Sequence, residues 1–217
     1  EEIGMYEDSP EDLVHDIFNQ SVWSKNPLGM PILGTEKTLK SIKREDIIDY
    51  IDRNYTPENV VISVVGNFDK EHVLSEIKRV FSKHKTTKKD KVTISEPVFT
   101  PIYKHKEKNT EQAHLCLGFK GFELSNKYTY PLLVLNNIFG GAMSSRLFQK
   151  IREEKGLAYS VFSYPSSYTD CGILSIYAGM KPNQLDHVIE LIIEEINQIK
   201  ANGISEEELY DSKEQIK

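Results

Sequence analysis

The sequence of 217 residues has few cysteines and no long apolar run. Its longest uninterrupted apolar run is Leu132 to Leu135, whereas a membrane-spanning helix needs about 20 apolar residues. The two cysteines, Cys116 and Cys171, lie 55 residues apart in apolar stretches, a spacing that suits neither a metal pair nor a dense disulfide framework. We therefore expect no membrane segment, and we expect buried free thiols in a reducing compartment.

The sequence also lacks an excess of basic charge and lacks histidine pairs. There are 27 Lys and Arg against 33 Asp and Glu, a net charge of −6, which disfavours nucleic acid as the main partner. No two of the six histidines lie three to five residues apart, the spacing with which one helix holds a metal. Because nucleophile-elbow, phosphate-loop and dinucleotide motifs are missing too, composition and spacing alone indicate only a soluble α+β protein.

Capping residues and apolar spacing predict several helices. Ser9 stands before a proline and two acids, which predicts a helix from about Pro10 to Val22. Asp69 is expected to cap another helix, and the apolar stripe over 185–199 predicts a long helix that ends at Asn202-Gly203. Ser205, with a glutamate three residues later, forms the capping box of a last helix.

Short apolar runs predict strands. The β-branched run Val60–Val65 has the pattern of a buried strand. Residues 113–119, 159–164 and 172–178 are strand-like as well, and the nearly all-apolar segment 130–139 is typical of a buried helix. Strands and helices are therefore expected in both halves of the chain.

A lysine-rich stretch interrupts the apolar pattern between Ser82 and Pro101. It has the composition of a solvated linker, which we favour over a binding patch. We place the linker at about 83–100, with one domain over 1–96 and another over 97–217. The first residues show no initiator Met and no signal-peptide features, and we interpret the chain as beginning in mid-protein.

Four segments carry distinctive patterns. They are residues 1–12 (EEIGMYEDSPED), 27–35 (PLGMPILGT), 55–59 (YTPEN) and, most distinctive, 140–159 (GGAMSSRLFQKIREEKGLAY). In this order they resemble the insulinase and mitochondrial processing peptidase family of zinc peptidases. The resemblance implies an α+β fold of two related domains, each a mainly antiparallel sheet with helices packed on one face, and both incomplete here.

The resemblance implies zinc as cofactor and one of its ligands in this chain. The family binds zinc through an inverted His-x-x-Glu-His helix and a further glutamate, which matches Glu2 by position. The alternative is that Glu2, like Glu1, is only a first-turn acid of an exposed helix. The inverted motif itself is absent, so the two His ligands and the general base are expected upstream, and this fragment alone should be inactive.

Arg152 and Tyr159, seven residues apart, match the Arg and Tyr pair of the family's second domain. The resemblance implies that both donate to the substrate carbonyl oxygen as it gains negative charge. The alternative is that Arg152 pairs with a neighbouring glutamate and that Tyr159 is a packed strand residue. Gly140 and Gly141 resemble a glycine-rich, substrate-binding loop, although they are equally suited to ending the preceding helix.

The resemblance implies a zinc metalloendopeptidase that hydrolyses peptides or unfolded segments inside a clamshell cavity. A non-catalytic subunit or scaffold of the same family is the second hypothesis, and a ligand-binding α+β module without catalysis is a distant third. The expected partners are a peptide substrate and either a second copy, forming a homodimer, or a paired family subunit. We expect no nucleic acid or membrane partner and a cytoplasmic location.

Overall fold

The computed structural model describes residues 1–82 and 95–217. Its contacts divide the chain into two compact units, one formed by Glu1–Leu33 with Ser95–Lys217 and the other by Gly34–Ile94. Most of the predicted linker, residues 83–94, lies outside the described residues. The predicted domains 1–96 and 97–217 are parts of two related folds, whereas the units described here are defined by contacts. The predicted division therefore stays a prediction.

Eight α-helices and three strands make up the described regular structure, together with short 3-10 and π-helical turns. In chain order they are α1 (Glu2–Asp8), α2 (Pro10–Val22), α3 (Glu36–Ser41), α4 (Arg44–Asn54), α5 (Lys70–Phe81), β1 (Ala113–Lys120), α6 (Thr129–Asn136), β2 (Ala158–Ser167), β3 (Gly172–Met180), α7 (Leu185–Asn202) and α8 (Glu206–Ile216). The π-helical turns are Asn137–Gly141 and Phe148–Glu154. The predicted α+β class is confirmed.

The three strands form one antiparallel sheet in the order β1-β3-β2. In the central strand β3, Tyr177 lies opposite Cys116 of β1 and Phe162 of β2. The outer strand β2 contains Pro165, which a sheet tolerates at its edge because proline has no N–H to donate to a neighbouring strand.

Helices pack against both faces of this sheet, and they come from different parts of the chain. Alternate residues of β3 point to opposite faces. Ile176, Ala178 and Met180 belong to the main core with residues of α7. Tyr177 points the other way, where its ring lies 5.1 Å from the ring of His15 on α2. The face opposite α7 is therefore covered by α2, a helix from the other predicted domain, 1–96.

The predicted caps and helix ends are confirmed. Ser9 Oγ accepts a hydrogen bond from the Asp12 N–H at 3.4 Å, and Asp69 Oδ1 accepts one from the His72 N–H at 3.0 Å. Ser205 forms the expected capping box of α8. Helix α7 ends at Gly203, whose φ of 73° lies in the left-handed region that favours glycine.

The prediction of a buried strand at Val60–Val65 is wrong in this structure. The segment has no ladder partner in the described chain, and Val61 and Val65 are each 94% exposed. A strand exists only where a second strand accepts and donates its backbone hydrogen bonds, and β-branched composition supplies only a preference for such pairing.

Segments 1–82 and 95–217 include no helix that is long and apolar enough to cross a membrane. The longest helix, α7, carries charged residues along its length.

Candidate functional site

Glu2 lies in the first turn of α1 and is exposed. Helix α1 leads directly into α2, because the Ser9 N–H donates to the carbonyls of Met5 and Tyr6 while the Ser9 hydroxyl caps α2. The position of Glu2 is therefore tied to α2 through a tight helix-to-helix junction.

Glu2 has suitable chemistry for a zinc ligand, but the described residues do not form a complete zinc site. A carboxylate such as that of Glu2 is an ordinary zinc ligand, and a catalytic zinc ion needs three protein ligands. No group of three His, Cys, Asp or Glu able to hold a metal ion occurs within 1–82 and 95–217. We accordingly derive no chemical step through a metal from these residues.

Arg152 is exposed on the π-helical turn Phe148–Glu154. It does not pair with a neighbouring glutamate, which was the alternative to a role in substrate binding. Its guanidinium carbon lies 4.8 Å from the centroid of the Phe148 ring, a cation–π contact. In the part of the chain that the structure describes, no carboxylate lies within ion-pair distance of it. Its donors therefore remain available to an external acceptor.

The turn that carries Arg152 is held on α7 by an ion pair. Lys150 Nζ donates to Glu195 Oε1 at 2.7 Å and to Glu194 Oε2 at 3.2 Å. The Glu195 side chain is only 7% exposed, so solvent screens this pair less than it screens a surface ion pair. The hydrogen bonds raise the pKa of Lys150 and keep it charged.

Tyr159 occupies an irregularity in β2 and is not a packed strand residue. The register of β2 against β3 shifts between Ala158, opposite Met180, and Ser160, opposite Gly179. Tyr159 is thus the extra residue of a β-bulge, a feature that re-aims a side chain and is over-represented next to active sites. Its side chain is 54% exposed.

The two glycines of the predicted substrate loop differ in environment. Gly140 is buried, and a Cβ added there would lie 2.5 Å from Ser163 Oγ and 2.8 Å from Ser163 N. Gly141 is exposed, and a Cβ there would lie 2.6 Å from the Asn136 amide nitrogen. Gly140 therefore lets the π-helical turn approach β2, which is a packing role, and only Gly141 remains open to a ligand.

A cluster of histidines and aromatic residues between α2 and the sheet was missed by the sequence analysis. His15 Nδ1 lies 2.8 Å from the Tyr164 hydroxyl and 3.4 Å from Cys116 Sγ. On the same face, His114 Nδ1 lies 2.9 Å from the Tyr177 hydroxyl. One signal was available, because His15 shares the apolar face of α2 with Phe18 and Val22 at helical spacing.

Burial sets the protonation of this cluster. It lowers the pKa of both histidines, and at His15 it outweighs the opposite influence of Glu11, Asp12 and Asp16. Burial also raises the pKa of the Cys116 thiol to about 12 and that of the Tyr164 hydroxyl. The cluster is therefore neutral near pH 7. Cys116 is a free thiol as predicted, although it is half-buried and not fully buried, and it is not a thiolate nucleophile.

A second arrangement that the sequence did not reveal joins the segment before Phe148 to α8. Arg146 Nε and Nη2 donate to the two carboxylate oxygens of Glu208 at 2.6 and 2.8 Å. A cavity of about 500 Å³ opens beside this pair, between α7 and α8. Because Arg146 and Glu208 satisfy one another, the cavity presents no free charge from this pair.

The sequence and the fold both match one peptidase family. The family description "Peptidase M16 inactive domain" matches residues 41–216. The chain is 48% identical to "Uncharacterized zinc protease YmxG" of Bacillus subtilis and 34% identical to "Uncharacterized zinc protease SCO5738" of Streptomyces coelicolor. These alignments cover 100% and 96% of this chain and 53% and 47% of the relatives, so the chain spans about half the length of the curated relatives it matches.

Solved structures share the fold at lower sequence identity. A peptidase M16 inactive domain from Pseudomonas fluorescens has a TM-score of 0.87 at 20% identity, covering 98% of this chain and 52% of that chain. A chain of complex III2 from Candida albicans has a TM-score of 0.81 at 22% identity, with coverage of 98% and 52%. The match of the family description to residues 41–216 confirms the family resemblance, and the chain belongs to the peptidase M16 family.

Proposed function

We propose that this chain is part of a zinc metalloendopeptidase that hydrolyses peptides or unfolded segments held in a closed cavity. The observation that carries the proposal is the state of Arg152 and Tyr159, two donors on neighbouring elements of one unit. Arg152 has no carboxylate partner in the described chain, and Tyr159 is re-aimed by a bulge. Two sequence relatives carry the name "zinc protease", and these names support the same activity.

In this proposal the chain binds and orients the substrate. The guanidinium of Arg152 and the hydroxyl of Tyr159 donate to the carbonyl oxygen of the scissile bond as negative charge develops there. Glu2 would be one oxygen ligand of zinc, and zinc would supply Lewis-acid polarisation of the carbonyl. The remaining ligands and the general base would come from the rest of the full-length protein. Gly141 lines the entrance for the substrate.

The outer edge of β2 suits an extended peptide. In the described residues no second strand pairs with the other edge of β2, and we propose that an extended peptide adds there as a further strand. Tyr159 belongs to this strand. Selection by size and by the ability to extend along a sheet edge would then favour unfolded segments over folded proteins.

The decisive experiment compares Tyr159→Phe with Tyr130→Phe in the full-length protein, with a quenched fluorescent peptide as substrate. Tyr130 is a matched control, since its side chain is 78% exposed on α6. Removing one oxyanion donor is expected to lower kcat about 100-fold or more, while the control keeps the parent rate. Equal turnover of the parent and Tyr159→Phe enzymes would refute the assigned role.

A non-catalytic subunit of the same family is the second candidate. It is favoured by the absence of a three-ligand metal group from the described residues and by the family description as an inactive domain. The resemblance of the fold to a chain of complex III2 fits a role in completing an assembly. A His-x-x-Glu-His motif about eighty residues upstream of Glu1, the spacing implied by the family resemblance, would exclude this alternative.

Pairing follows from the proposed closed cavity, and location is a separate proposal. A closed cavity requires a second half, from a second copy in a homodimer or from a paired family subunit, and we propose a cytoplasmic enzyme. Light scattering of the full-length protein distinguishes a monomer from a homodimer, and cell fractionation tests the location.

A further inference from the structure

The contact between His15 and β2 connects the two parts of the proposed site. Helix α1, which carries Glu2, leads into α2 through Ser9. Strand β2 carries Tyr159, five residues before Tyr164. His15 on α2 and Tyr164 on β2, 149 positions apart in sequence, meet at 2.8 Å.

The shape of the contact surface brings α2 close to the sheet. A Cβ added at Gly118 of β1 would lie 2.3 Å from the Phe18 ring. The absence of a side chain at Gly118 therefore leaves room for Phe18 of α2 against the strand. The His15 ring lies among three aromatic rings, with centroids 5.1 Å away for Tyr177, 5.7 Å for Tyr164 and 6.5 Å for Phe162. A polar atom in such surroundings needs a hydrogen-bond partner.

Two groups that can donate a hydrogen bond lie at Nδ1 of His15. That atom is approached by the Tyr164 hydroxyl and the Cys116 thiol, and both groups keep their own protons near neutral pH. A neutral imidazole with its proton on Nε2 accepts at Nδ1, whereas a protonated ring donates from both nitrogens. Protonation therefore forces the His15–Tyr164 hydrogen bond to reverse its direction and places a charge in a largely buried site, where the charged form is disfavoured.

The other titratable groups around His15 act in both directions. On α2 the carboxylates of Glu11, Asp12 and Asp16 favour the charged ring. From β1, His114 disfavours it, and the Tyr177 hydroxyl of β3 bonds to His114. Burial is the largest influence, and it favours the neutral ring.

We propose that His15 is a positioning residue that holds α2, and through α2 also α1, against the sheet while its imidazole is neutral, so that the placement of Glu2 relative to Tyr159 depends on pH. The relation to catalysis rests on the proposed function, but the helix contact does not. Below the pH at which His15 takes up a proton, α1 and α2 loosen while the sheet and α7 keep their structure.

Hydrogen exchange tests the helix contact directly in the 217-residue chain. Between pH 7.5 and pH 5, after correction for intrinsic exchange, we expect protection of α1 and α2 to fall about fivefold, as for the loss of one hydrogen bond. Protection of α7 should stay constant. His15→Gln should remove this pH dependence, whereas His187→Gln, on the exposed side of α7, should retain it.

Tyr164→Phe keeps the ring and removes the hydroxyl, so it provides a second test if His15→Gln does not fold. It should lower the protection of α1 and α2 about fivefold already at pH 7.5, while Tyr130→Phe leaves it unchanged. Constant protection in the parent chain across this pH range, or unchanged pH dependence in both variants, would overturn the proposal.

The link to catalysis has its own measurement in the full-length protein. The kcat/KM ratio of the parent to His15→Gln should fall as the pH is lowered from 7.5 to 5.5, because only the parent loses its positioning contact. A constant ratio would overturn the catalytic part of the inference. If neither protein hydrolyses peptides with zinc at any pH, the proposed function fails, and the exchange experiment still decides whether His15 holds the helices.

Discussion

Arg146 binds the carboxylate of Glu208 through two hydrogen bonds, of 2.6 and 2.8 Å, across 62 positions of sequence. The same carboxylate closes the capping box of α8 by accepting from the Ser205 N–H at 2.8 Å. One side chain thus both starts a helix and ties it to the segment that leads into the Arg152 turn. These contacts lower the pKa of Glu208 to about 2.

This pair should make stability depend on acid pH. The folded-state pKa of Glu208 lies below its ordinary value of 4.5, so its stabilisation is fully present above about pH 4.5 and is lost as the pH falls towards 2. Glu208→Gln should lower the free energy of unfolding at pH 7 by about 1–2 kcal/mol, a figure reduced for partial exposure, and flatten its slope below pH 4.5. Urea unfolding across pH measures both.

The matched control is Glu207→Gln in the same turn of α8, where the side chain is exposed. It removes one negative charge without breaking the pair with Arg146. An equal change in the slope for both variants would show that net charge, rather than the Arg146 contact, governs the pH dependence.

Gly140→Ala should destabilise the unit formed by Glu1–Leu33 and Ser95–Lys217. The new Cβ would meet the backbone nitrogen of Ser163 at 2.8 Å, and backbone cannot move aside as a side-chain tip can, so we expect a cost of about 1–3 kcal/mol. Gly4→Ala in α1 is the control, because nothing lies within 4 Å of its added Cβ, and it should stabilise by about 0.5–1 kcal/mol. Thermal unfolding measures the melting temperature of both variants. Equal shifts in melting temperature would contradict the packing role assigned to Gly140.

Leu147→Ala should cost about 2–5 kcal/mol, because Leu147 is fully buried in the main core and its removal leaves a cavity. Leu124→Ala, at a side chain that is 62% exposed, should change the free energy of unfolding by less than about 0.5 kcal/mol. Denaturant unfolding gives both values. A Leu147 variant as stable as the Leu124 variant would mean that this core is not formed as described.

Glu2→Gln in the full-length protein should weaken zinc binding by more than about 100-fold, since even residues outside the ligand shell contribute about 10–100-fold. Glu1→Gln removes a neighbouring exposed carboxylate and should bind zinc as the parent does. Metal content after dialysis against a chelator series, measured by atomic absorption, separates the two. Equal zinc retention by both variants would rule out Glu2 as a ligand.

The sequence by itself determined the features that depend on neighbouring residues. Ser9, Asp69 and Ser205 each cap the helix that follows by accepting a hydrogen bond from the N–H three residues ahead. Gly203 ends α7. These features were predictable because the hydrogen bonds and backbone angles involve only neighbouring residues. The strands over 113–120, 158–167 and 172–180 were also predictable from their apolar runs. Family membership followed from residue order alone.

Only the tertiary structure decided the features that join distant parts of the chain. Val60–Val65 has strand composition without a partner in the described residues, and pairing is not encoded in one segment. The bulge at Tyr159 depends on the register with β3, and the packing of Gly140 depends on Ser163. The meeting of His15 with Tyr164 depends on α2 crossing the sheet, because burial and hydrogen bonding between distant residues arise only when the chain has folded.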